Sequence, residues 1–219
     1  MHGDADSGIS TTKTYTHAAD LGDAQTTPVT INGVPFHQGG KSGTDATHGG
    51  SYLLADTPVS VTTYNSPVTG DMHELMEDFY YGGNPSLLYF NGLETGTRYV
   101  TRFYVSAYSG IGMELTPNDS VRSVFRVDRG GGHLPGAIIS YEGTAQAGGL
   151  LAFQAAQVGG APHFYGFTVE EAAIQNDSQL IPDLFNTGVD VQGRLLAVGA
   201  ADPHYTISGP QLPGTAPQA

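Results

Sequence analysis

The chain has 219 residues, and 8 Lys and Arg against 21 Asp and Glu give it a formal net charge of −13. A balance this acidic removes the electrostatic basis for nucleic-acid binding. The absence of Cys excludes disulfides, thiol catalysis and Cys-ligated zinc, and no apolar run reaches the ~20 residues of a membrane helix.

Residues 1–13, polar and rich in Gly, Ser and Thr, read as an N-terminal extension, residues 14–172 as a domain and residues 173–219 as a C-terminal tail. From Thr14 onward short β-like runs alternate with Gly, Asn and Pro. Val29–Phe36 is a hairpin, because Asn32-Gly33 supplies the two positive-φ residues of a type I′ turn. Gln38 to Gly50, with five glycines, reads as a mobile surface loop. Further strands are expected at Ser51–Leu54, Val59–Tyr64, Leu87–Asn91, Tyr99–Tyr108, Val121–Val127, Ala137–Tyr141, Leu150–Ala156 and His163–Val169. Their spacing is that of an all-β antiparallel sandwich or jelly roll. One amphipathic helix is expected at about 71–81, from the stripe of Met72, Leu75, Met76, Phe79 and Tyr80. Asp71 and Glu74 would cap it and Gly82-Gly83 would stop it. Its acidic side, Glu74, Glu77 and Asp78, reads as a solvated face.

Leu93-Glu94-Thr95-Gly96-Thr97-Arg98-Tyr99 resembles the Leu-x-x-Gly-x-x-Tyr corner of fibronectin-type sandwiches, in which the tyrosine hydroxyl bonds back to the turn. A longer pattern runs through Thr16–Gly22, Asn32–Phe36, Leu75–Pro85, Gly92-Leu93 and Phe164–Phe167. It resembles an uncharacterised secreted β-jelly-roll module of Planctomycetes- and Verrucomicrobia-type bacteria, similar to carbohydrate-binding or galactose-binding-like domains. That resemblance implies an extracellular β-sandwich and brings no catalytic residues. The tail, through Leu184–Asp190, Leu195-Leu196 and Asp202–Ile207, resembles the opening of a second secreted β-module. Met1–Asp4 is not followed by an apolar stretch, so no signal peptide is read here. A composition rich in Gly, Thr and Tyr fits a mature surface or secreted bacterial protein.

Five of the eight basic residues fall between 98 and 129. If the strands carrying them are neighbours, Arg98, Arg102, Arg122 and Arg126 share one sheet face and could receive an acidic glycan or a carboxylate-bearing partner. The competing reading pairs them internally with Glu94, Glu114 or Glu142. The tyrosines offer stacking faces for sugars, although most should be core. Asp4-Ala5-Asp6-Ser7-Gly8 faintly resembles the start of a calcium loop but lacks its downstream acid. His133, His163 and His204 show no ligand spacing. No cofactor is expected beyond a structural calcium, for which the sequence designates no ligands. No nucleophile elbow, phosphate loop or zinc-helix motif is present, so the protein reads as non-catalytic.

Three functions compete. The leading one is an extracellular structural subunit that self-associates into a homopolymeric fibre or matrix by terminal-strand exchange. Its assembly strand would draw on Leu184, Phe185, Val189, Leu195, Leu196, Val198, Tyr205 and Ile207, docking on another copy or folding back in cis. The alternative is a monomeric carbohydrate-binding or adhesion module. A glycosidase-like enzyme comes third.

Overall fold

Alternation of side chains across extended backbone accounts for the architecture. The computed structural model describes residues 1–22, 28–56, 59–61, 65–106, 112–118, 125–128, 136–157, 160–173 and 205–208. The strands are β1 (Tyr15–Leu21), β2 (Thr30–Ile31), β3 (Val34–Pro35), β4 (His37–Gly39), β5 (Ser42–Thr44), β6 (Ser51–Ala55), β7 (Val59–Val61), β8 (Phe79–Tyr81) and β9 (Ser86–Asn91). They continue with β10 (Arg98–Val105), β11 (Gly112–Pro117), β12 (Phe125–Asp128), β13 (Ala137–Thr144), β14 (Leu151–Gln157), β15 (His163–Phe164), β16 (Gly166–Glu171) and β17 (Tyr205–Ser208). One α-helical turn, α1 (Met72–Leu75), lies between β7 and β8, and a 3-10 turn spans Asp4–Asp6. Both are far too short to cross a membrane.

Two six-stranded sheets face each other, the first ordered β17-β13-β10-β16-β1-β4 and the second β12-β11-β14-β9-β6-β5. This is the expected all-β sandwich. Inward residues of both sheets form an aromatic core, with Phe90 against Phe167 at 4.8 Å and Phe103 against Phe153 at 5.0 Å between ring centroids. Each such buried ring contributes roughly 2–3 kcal/mol of apolar burial. Part of the opposite face of the first sheet is buried too. Ala18, Tyr104 and Ile138 pack there against Met1, Ile9, Ile31, Phe36, Met72 and Leu75. The N-terminal residues, the β2–β3 hairpin and α1 thus form a third layer. The hairpin turn is as expected, with φ of 49° at Asn32 and 82° at Gly33.

Three expectations are corrected. The helix over 71–81 is one turn, because Phe79-Tyr80-Tyr81 leaves it to pair as β8 with β7 and β15, as suits an aromatic run. Asp71 makes no side-chain cap; Asp4, 67 residues earlier, accepts the main-chain N–H of Asp71 at 3.1 Å and of Met72 at 2.8 Å. The glycine-rich stretch 38–50 is not a loose loop, since it holds the end of β4, all of β5 and a turn braced by Asp45. The tail supplies β17, which pairs antiparallel with β13 of its own chain, placing Tyr205 opposite Tyr141 and Ile207 opposite Ile139. Leu184, Phe185, Val189, Leu195, Leu196 and Val198 lie outside the described residues.

Candidate functional site: the open face of the second sheet

Arg98 and Arg102 do not share a sheet with Arg126. β10, with Arg98 and Arg102, belongs to the first sheet and β12, with Arg126, to the edge of the second. Sequence proximity misleads here because β11, the strand that follows β10 in sequence, pairs with β12 and β14 in the second sheet. Arg98 pairs with Glu142, and Arg102 pairs with Glu170, which also takes Lys13 at 3.2 Å. Arg126 stands opposite Glu114 in the β11–β12 register, and Arg122 lies outside the described residues. Burial, and then the Arg102 charge beside it, hold Lys13 below the usual ammonium range, against the pull of Glu170. The internal pairing with Glu142 is therefore formed.

The histidines and carboxylates nearest the loops are engaged in structure. Asp45 is buried and accepts the main-chain N–H of Ala18 at 2.9 Å and of Thr47 and His48 at 3.0 Å, besides contacting His48 Nδ1 at 2.7 Å. With its oxygens committed to three amides, it braces the turn before β6. His17 is buried with Nε2 3.0 Å from the Ser51 carbonyl, and burial holds its pKa below the ordinary value. Gly50 is required beside it, since a Cβ there would enter the His17 ring. In the faint calcium-loop pattern, Asp6 accepts the nearby main-chain N–H of Gly3 and Asp4 the distant one of Met72 at the start of α1. Among the described residues no three His, Asp or Glu gather as a metal centre. His163 stacks on Phe79 at 4.4 Å, while His133 and His204 lie outside the described residues.

The second sheet presents a different surface. Its inner residues, Tyr52, Leu54, Leu88, Phe90 and Phe153, fill the core, so their neighbours along each strand face outward. Register sets Leu53 beside Tyr89 and Tyr89 beside Ala152 in one row. The next row runs Ala55, Leu87, Gln154 and Thr116, and beyond it Ala156 and Glu114 lead to Arg126. Leu53 is 44% exposed, Tyr89 and Leu87 are half-buried and Gln154 is exposed. The first sheet has a third layer over part of its outer face; among the described residues no such layer packs on this one, which carries exposed Leu53 beside half-buried Tyr89 and Leu87, with amide, hydroxyl and carboxylate groups along the same rows. Of the tyrosines considered for stacking, Tyr52, Tyr80, Tyr104 and Tyr165 are buried, whereas Tyr64 and Tyr108 lie outside the described residues. Tyr89 was legible only as a strand residue, because its outward direction depends on which face packs.

No family model and no curated protein matches this chain. Solved structures do. The plant receptor-like kinase ANX2 superposes with a TM-score of 0.52 at 12% identity, over 73% of this chain and 49% of that one. The ANX1 ectodomain from Arabidopsis thaliana gives 0.50 at 11% identity, over 73% and 49%. A Bacteroides uniformis beta-glucuronidase gives 0.53 at 9% identity, over 72% of this chain and 18% of that one. The likeness is one of fold. This chain spans about half of each receptor structure and under a fifth of the glucuronidase.

Proposed function

We propose that this chain is a non-catalytic, extracellular glycan-binding module whose ligand lies across the outer face of the second sheet. The observation that carries the reading is the asymmetry between the sheets: among the described residues a third layer packs on much of the outer face of the first, while the second sets exposed Leu53 beside half-buried Tyr89 and Leu87 on its outer face. A sugar ring offers an apolar C–H face to an aromatic and hydroxyls to surrounding polar groups. Tyr89 serves as the platform, with Gln154, Thr116 and Asn91 at hand for hydroxyls. A β-sandwich fold shared with receptor and glucuronidase structures is consistent with this use, as analogy only. The fibre reading loses its main support, because Tyr205–Ser208 pairs with its own chain.

Affinity electrophoresis through a panel of neutral and acidic polysaccharides tests the proposal. Retardation of the full chain by at least one polymer is expected, and Tyr89→Ala should weaken it about tenfold, on the order of 1.4 kcal/mol. Absence of retardation across the panel, or undiminished binding by the variant, would refute it. Filaments that vanish when residues 182–219 are deleted would restore the structural-subunit reading.

A further inference from the structure

β1 ends at Asp20-Leu21, followed by Gly22. Leu21 enters the core between the sheets, so Asp20 projects to the other side, where α1 covers the first sheet. Asp20 lies opposite Gly166, and a Cβ on Gly166 would collide with Leu75 of α1. At this position Asp20 is 2% exposed, and neither of its carboxylate oxygens has a hydrogen-bond partner. Asp78, expected on a solvated helix face, is instead 1% exposed. Its carboxylate rests so closely on Gly22 that a Cβ there would overlap it. Both acids therefore attend the same end of β1. Among the described residues, the charged groups acting on Asp20 are other carboxylates: Asp78, Glu77 and Glu74.

A carboxylate withdrawn from water with no donor and only negative neighbours is among the costliest groups a fold can bury. A positive partner offsets that cost. We infer that Asp20 and Asp78 together bind a divalent cation of the calcium type, tying the end of β1 to the turn after α1. The donors are hard oxygens, which select calcium or magnesium over zinc or copper. Because no third described His, Asp or Glu joins them, main-chain carbonyls or water complete the shell. Calcium accepts such mixed, irregular oxygen sets, whereas magnesium requires near-ideal octahedral geometry. Gly22 has a specific role here, since any side chain would displace Asp78.

The test is thermal unfolding of the full chain, stripped with EDTA and titrated separately with CaCl2 and MgCl2, together with isothermal titration calorimetry. Calcium at about a hundredfold excess over its Kd should raise the midpoint by about 5 °C or more, with a single-site isotherm. Asp20→Asn and Asp78→Asn should each abolish the rise, and Glu142→Gln, remote from the site, should retain it. Two variants are used so that misfolding of one leaves the other informative. No midpoint change and no binding heat in the wild type would overturn the inference, as would a full calcium response in both Asn variants. If a proton rather than a cation neutralises Asp20, the wild type ignores calcium and Asp20→Asn is at least as stable.

Discussion

The hydroxyl of Tyr99 accepts the main-chain N–H of Glu94 at 3.0 Å, closing the turn that leads from β9 into β10. Tyr99 is 1% exposed, so this bond ties a surface turn to a ring fixed in the core, as the Leu-x-x-Gly-x-x-Tyr spacing predicts. Tyr99→Phe should keep the packing and lose the bond, lowering stability by about 1 kcal/mol in urea denaturation.

Asp4 caps α1 from the far end of the chain. Asp4→Ala should cost about 1–2 kcal/mol, measured by thermal unfolding, because two N–H groups lose their acceptor together. Asp71→Ala, at the position that looks like the cap, should change stability by less than about 0.5 kcal/mol.

Glu170 joins Lys13 of the N-terminal layer to Arg102 of β10 and is 5% exposed. Glu170→Gln should destabilise the protein by about 3 kcal/mol, since it leaves two cations facing each other at a mostly buried site. The double variant Glu170→Leu with Arg102→Met should recover much of that loss in the same denaturation assay. If the double variant is as unstable as the single one, the pair is contributing more than mutual neutralisation.

His163 lies among the rings of Phe79, Tyr81 and Tyr165. Burial holds its pKa down at about 4, against an ordinary 6.5. The unfolded chain binds the proton more readily, so the associated stability is fully present above pH 6.5 and is lost as pH falls toward 4. Urea denaturation at pH 7.5 and 4.5 should show a smaller acid loss for His163→Gln than for the wild type.

Local signals were legible in the sequence wherever neighbouring residues decide the structure. Asn32-Gly33 specifies its own turn through two positive-φ residues, and Leu93–Tyr99 carries a corner within seven residues. The alternation in β9 and β10 marks them as half-buried strands before any partner is known. Tertiary structure alone decided which strands adjoin. Leu53 and Ala152 flank Tyr89 from opposite sides, and neither contact leaves a trace in the local pattern. The same is true of Arg102 and Arg126, close in sequence and divided between sheets, and of Asp20 and Asp78, far apart in sequence and brought to one buried end of β1. Hydrophobic periodicity tells a strand which of its faces is apolar. Only the packing of one sheet on another decides which side of that sheet faces outward, and which acids are carried away from water.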